Sequence, residues 1–229
     1  MTHNQGRAEF EAFLKPYPVR TFKKGEIIIF QGEAPRTGYV MKTGVVKAYN
    51  LSANGDEKPV AFYSPLDIFP GAWIYGKMPS AIYYYEAFTE NVEVYLVPRT
   101  EYIDFIKQHP AAMFEQLEHY VSDHLGKSMR LNALQHSRAG DKLIYTLHYL
   151  ALSHGRHIAP RVVQIELALT HQDFANLTGL TRETAATELN KLKHMGIIVY
   201  GKHTPYRIKL DKLTAMLNDQ YIAEIEIKL

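Results

Sequence analysis

Residues 169–200 read LTHQDFANLTGLTRETAATELNKLKHMGIIVY, and this stretch decides how the rest of the chain is understood. Thr170 is placed to cap a helix, with Asp173 three residues on as the return partner of a capping box. The helix continues through Phe174 and Leu177, and Gly179 supplies a tight turn. Thr181 caps a second helix whose inward face is Thr184 or Ala185, Leu189 and Leu192, and Gly196 after Met195 stops it. Two short helices about a glycine turn, with small residues where they cross, form a helix-turn-helix. Beyond it, residues 197–200, a turn at 201–205 and residues 206–210 read as a two-stranded wing.

The side chains of this stretch suit double-stranded DNA. Arg182 and Glu183 fall in the first turn of the second helix, the part that enters a major groove. An arginine can bond guanine with both arms, and a glutamate can accept from cytosine N4. Thr184 lies beside them, and Thr187, one turn later, can touch a base edge or a thymine methyl. Thr170, Thr181, Lys191, Lys202 and Lys209 are expected to meet phosphates. Charge agrees with this. The chain of 229 residues has a net charge of only +2, yet residues 138–210 hold 10 Lys+Arg against 5 Asp+Glu, while residues 1–110 hold 12 of each. The positive charge therefore sits around the helix-turn-helix.

Upstream, the pattern changes. Segments 26–30, 39–42, 45–50, 58–63, 81–87 and 92–97 are short and rich in Val, Ile, Tyr and Phe, and turn signals such as Asn54-Gly55 separate them. They predict an antiparallel β-sandwich or barrel. Residues 99–109 predict a short helix stopped by Pro110. A helix of some 25 residues follows, with Phe114, Leu117, Val121, Leu125, Ser128 and Leu131 recurring on one narrow seam. Such a helix leaves apolar surface uncovered unless it pairs, and pairing with a second copy is the economical solution. Residues 138–158 predict another helix, with a hinge at 135–141 where Ser137, Ala139 and Gly140 interrupt the pattern. The last 19 residues are mildly acidic and helix-compatible. The fold class is α+β, in three parts: a β-roll at 1–110, a dimerisation helix at 111–137 and a winged helix-turn-helix at 138–229.

Several functions are excluded. With no cysteine, disulfides and cysteine-ligated clusters cannot form, and no histidine lies between His3 and His109, so a metal site in the barrel is not expected. No cofactor is expected. His119 and His124, five apart, do not share a helical face. There is no G-x-S-x-G elbow, no metal triad and no Gly-rich phosphate loop, and Asp67 and Glu86 have no visible catalytic pairing, so the chain is not read as an enzyme. No apolar run spans a bilayer and no signal pattern opens the chain, which predicts a cytoplasmic protein with no membrane partner.

The residues quoted so far resemble the Crp/Fnr family of bacterial transcription regulators along nearly the whole chain. In the barrel the likeness rests on FKKGEIIIFQGE (22–33), Tyr39, GVVKAY (44–49) and Asp67-Ile68-Phe69. In the C-terminal part it rests on the helix-turn-helix, where Arg182-Glu183-Thr184 matches the family's Arg-Glu-Thr signature. The resemblance implies a cyclic-nucleotide-binding-like roll, a dimer helix, a palindromic promoter site and RNA polymerase as a partner. The departures are equally specific. Members that bind cyclic AMP carry Gly-Glu and then Arg-Ser/Thr-Ala to hold ribose and phosphate. Here Pro70-Gly71 and Pro79-Ser80-Ala81 stand at those places, Lys77 is the only cation nearby in sequence, and a buried phosphate without a counter-charge is costly. Cyclic AMP dependence is therefore not expected. Trp73, Tyr75, Ser80, Tyr83, Tyr84 and Tyr85 occupy the region instead. They line a pocket for an unidentified apolar or aromatic effector, or form a surface that grips the partner helix, or fill the roll, and filling is the reading adopted. The alternative function is a cyclic-nucleotide or other small-ligand sensor whose DNA binding requires that ligand.

Overall fold

The computed structural model describes residues 5–201 and 204–217, and the chain divides into two compact units, Met1–Tyr120 and Val121–Leu229. In the first unit, α1 (Gln5–Leu14) precedes β1 (Val19–Phe22), β2 (Ile27–Ile29), β3 (Gly38–Thr43), β4 (Val46–Leu51), β5 (Glu57–Tyr63) and β6 (Ile68–Phe69). Then come α2 (Gly71–Ile74), β7 (Tyr84–Ala87), β8 (Val92–Val97) and α3 (Arg99–Gln108). Two antiparallel sheets result, ordered β1-β8-β3-β6 and β2-β7-β4-β5. The β4–β5 hairpin turns at Asn54-Gly55, as its sequence predicts, with Ser52 N–H donating to the Asp56 carbonyl.

Strand alternation sends successive side chains to two separate cores. Met41 pairs with Val94, and Val40 with Tyr95. Met41 and Val94 join Phe22, Val46, Ala61, Phe69 and Tyr85 between the sheets. Val40 and Val97 face the other way, where Phe10 and Leu14 of α1, Ile74 of α2 and Tyr102, Phe105 and Ile106 of α3 cover the outer face of the first sheet. Neither α1 nor α2 was legible in the apolar spacing. The expected strand at 81–87 begins only at Tyr84, because Ala81 N–H donates to Glu33 O and Ala81 O accepts from Gly32 N–H. Those bonds lie in the bend after β2, outside the ladder.

α4 (Pro110–Gln135) is a single helix of 26 residues. Pro110 opens it, a position where the missing N–H costs nothing; the expected stop is also a start. The division between the units falls inside this helix, between Tyr120 and Val121. In the second unit, α4 is followed by α5 (Ala139–His154), β9 (Gly155–Ala159), β10 (Val162–Ile165), α6 (His171–Thr178), α7 (Arg182–His194), β11 (Ile198–Gly201), β12 (Thr204–Lys209) and α8 (Leu210–Thr214). Gly126 brings α4 close to α5, since a Cβ there would collide with Ser153 and Tyr149. Residues 135–141 lie wholly inside this unit. The helix expected at 138–158 ends at His154, and the next residues form a hairpin turned at Pro160 and Arg161, the latter at φ 58. The wing is accordingly half of a four-stranded sheet, β11-β12-β10-β9. Most of the acidic C-terminal stretch, from residue 218 on, lies outside the described residues.

Candidate nucleic-acid interface

The helix-turn-helix is assembled by local chemistry that the sequence spells out. The Thr170 side chain accepts from Asp173 N–H at 3.2 Å, and Thr170 N–H donates to the Asp173 carboxylate at 2.7 Å, closing the capping box. α6 ends on Gly179 in the left-handed region, φ 67, where glycine alone is unstrained. Thr181 caps α7 by accepting from Thr184 N–H at 3.2 Å. Phe174, Leu177, Ala185, Leu189 and Leu192 are buried between the helices and the sheet. Ala185 is therefore the inward residue of the first turn, and Thr184 only half so.

This packing turns the start of α7 outward. Arg182, Glu183 and Thr187 are exposed, and among the described residues the Arg182 guanidinium and the Glu183 carboxylate meet no hydrogen-bond or ion-pair partner. Thr184 is committed to the cap, its hydroxyl 2.9 Å from that of Thr181. Thr187 donates its hydroxyl to the Glu183 carbonyl at 2.9 Å, which leaves its methyl outermost. Lys191 pairs with Glu188 at 2.6 Å. Lys209 stands at the end of β12 paired with Val162, about 17 Å of strand away from Thr204 at the wing turn; the fold does not gather it with the residues at the other end. Lys202 lies outside the described residues.

Sequence reasoning missed four neighbours. Lys193 lies over the Tyr200 ring, 4.6 Å from its centroid, and Tyr200 donates its hydroxyl to Asn190 at 2.9 Å, which ties the wing to α7. His171, the first residue of α6, meets the Tyr200 ring edge-on at 5.7 Å. Burial, and then the Arg182 charge, hold the His171 imidazole below the usual histidine range. Its position directly after a cap was the available signal.

On α4, the seam residues Phe114, Leu117, Val121, Leu125 and Leu131 are all exposed, Leu131 by 62%, together with Ser128, Met113 and Tyr120. The opposite positions Ala112, Met129 and Ala133 are buried. His119 is bonded to Asp67.

The six aromatic-region residues do not converge on one cavity. Tyr85 is buried between the sheets, stacked on Phe69 at 5.2 Å, and Tyr39 also stacks on Phe69, at 5.4 Å. Tyr83 packs against the same core. Tyr84, on the opposite face, stacks on Tyr49. Trp73 packs into the helical core, and Tyr75 reaches the Tyr102 hydroxyl at 3.1 Å. Ser80 lies in the bend between α2 and β7, half-buried. Lys77 is not the only cation near α2, because the fold delivers Arg99, whose Nε donates to the Ile74 carbonyl at 2.8 Å and whose guanidinium covers Trp73.

Comparison with known proteins agrees with this architecture. The cyclic nucleotide-binding domain family matches residues 19–109, and the Crp-like helix-turn-helix domain family matches residues 141–216. The global nitrogen regulator of Synechocystis sp. is 29% identical over 190 residues, covering 82% of this chain and 84% of that protein. The regulatory protein HlyX of Actinobacillus pleuropneumoniae is 25% identical, covering 84% and 78%. Among solved structures, a CooA variant from Carboxydothermus hydrogenoformans superposes with a TM-score of 0.70 at 22% identity, covering 89% of each chain. Among the described residues no helix is long and apolar enough to cross a membrane.

Proposed function

The chain belongs to the Crp/Fnr family of transcription regulators, and from that premise we propose that it works as a homodimer that reads a palindromic promoter site without cyclic AMP. The observation that carries this reading is the outward, unpaired Arg182–Glu183 pair at the capped start of α7. Side chains without partners in the free protein are available to base edges at no cost in broken contacts. Arg182, Glu183 and the Thr187 methyl read bases, with Thr184 holding the cap beneath them. Thr170, Thr181 and Lys191 meet phosphates, as Lys202 and Lys209 do on the sequence reading. The exposed row Phe114, Leu117, Val121, Leu125, Ser128 and Leu131 supports pairing of α4 with its copy. Two recognition helices so related address half-sites about 34 Å apart. Family membership supplies RNA polymerase as the further partner.

Independence from cyclic AMP is supported by the stacked rings of Tyr39, Phe69 and Tyr85 inside the roll and by the uncharged residues at the two cassette positions. The test is selection of fragments from a random DNA pool by purified protein with no added ligand, with the mass in solution measured alongside. A palindromic site recovered by a dimer, with affinity falling steeply as salt rises, is the expected result. A folded dimer that recovers nothing specific sinks the ligand-free reading. A monomer sinks the role given to α4, for which Leu117→Asp is the sharper probe.

A further inference from the structure

Beside the start of α7 runs an open groove of about 1170 Å³ between the 164–172 segment and the wing. Thr170, His171, Arg182, Lys193, Tyr200 and Thr204 are among the residues that line it. Its chemistry is one-sided. Arg182 and Lys193 bring two cations, and neither has an ion-pair partner among the described residues. Glu166, the acid in the lining, is engaged by Arg156 at 3.2 Å; nearby, Asp173 closes the capping box on Thr170, and Glu183, exposed on α7, is not among the lining residues. Tyr200 and Tyr206, stacked at 4.5 Å, form the apolar wall, and burial raises the proton affinity of both phenols, so neither supplies an anion. His171 stands between the Tyr200 edge and the Arg182 charge. Neither of its ring nitrogens has a hydrogen-bond partner among the described residues.

We propose that this groove seats a backbone phosphate of the bound duplex, and that His171 takes up a proton as the phosphate arrives, so that DNA binding is linked to pH. The inference rests on the DNA-binding reading above and adds to it a residue and a proton. In the free protein, the Arg182 charge and the partial loss of water oppose protonation of His171. A phosphodiester between the two reverses the sign of that environment. Arg182 is then neutralised, and the imidazolium gains an anionic acceptor and a charge-assisted hydrogen bond. The complex therefore binds more protons than its separated parts, and affinity rises as pH falls, by at most about tenfold per pH unit for each half-site.

The test uses the full-length protein and the duplex recovered by selection, at fixed salt, with affinity measured between pH 8 and pH 6. Titration calorimetry in buffers of different ionisation heat counts the protons. The wild type takes up protons on binding and tightens towards pH 6. His171→Gln loses the tightening towards pH 6. His171→Arg, a fixed cation, binds at pH 8 as the wild type does at pH 6, with a flat profile. His194→Gln, on the last turn of α7, keeps the wild-type slope. A wild type that binds the duplex with no pH dependence, or a His171→Gln variant that keeps the slope, overturns this inference and leaves the regulator reading standing. A folded protein that prefers no duplex at any pH overturns both.

Discussion

Certain cations of the two units are held in opposite ways. In the β-roll, Lys47 is 5% exposed and held by Glu57 and by Glu86 at 3.5 Å, over the face of Tyr49 at 4.6 Å. Lys42 pairs with Glu93, and Arg99 is spent on the Ile74 carbonyl and on Trp73. These cations find their partners within the same unit. In the winged unit, Arg182 and Lys209 are exposed and unpaired among the described residues, and Lys193 has only a ring beneath it. A cation balanced by acids of its own unit serves the fold. A cation left open is available to a polyanion that arrives later.

The largest test of this contrast lies in the roll. Tyr85→Ala removes one end ring of the Tyr39–Phe69–Tyr85 stack and is expected to cost about 4 kcal/mol of stability in denaturant unfolding. A loss below about 1 kcal/mol would mean the rings are lining rather than core.

Next comes pH. His148 is 1% exposed in α5, and both of its ring nitrogens lack a hydrogen-bond partner among the described residues. Burial lowers its pKa from the usual 6.5 to about 4. The unfolded chain then binds the extra proton first. The stability this neutral histidine confers is whole above pH 6.5 and is lost as pH falls towards 4, about 3 kcal/mol in all. His148→Leu should flatten that part of the stability profile, and an unchanged profile would show that the ring reaches water.

Two cations sharpen the comparison most directly. Lys47→Ala strands the Glu57 and Glu86 carboxylates and should cost about 2 kcal/mol of folding stability, below the fully buried case because Glu57 stays one-third exposed. Arg182→Ala should leave the melting temperature unchanged and weaken the selected site by about 2 kcal/mol, with choice relaxed at one base pair. Equal effects on stability from the two would erase the distinction.

How much could be read in advance also differs between the units, for physical reasons. The helix-turn-helix was legible because its signals are local: Thr170 with Asp173 and Thr181 with Thr184 each fix a boundary by a bond across three residues, and Gly179 fixes one by its positive φ. β8 was legible from its β-branched and aromatic residues. The β9–β10 hairpin was not, because its outward strand, Arg156 to Ala159, is exposed throughout and carries no apolar period, and its turn uses Arg161 at positive φ where glycine would have announced it. What holds α1 is distant in sequence: Phe10 against Tyr102 and Phe105. Arg99 near α2 and His171 near Arg182 are likewise products of folding, joining residues 25 and 11 positions apart. The three-part division by sequence pattern separated the long helix from its neighbours, whereas in the fold each half of α4 belongs to a different unit.

The Thr187 hydroxyl bond has a consequence for the chemistry of the target. With its oxygen turned back to Glu183, this residue presents a methyl alone, and a methyl distinguishes thymine from uracil and cytosine from its 5-methylated form. On the proposed reading, a site synthesised with uracil at the facing position should bind more weakly by about 0.8 kcal/mol, the worth of one buried carbon. Thr187→Val should leave both affinity and that discrimination intact. A regulator built this way would be sensitive to methylation of its own operator at a single base.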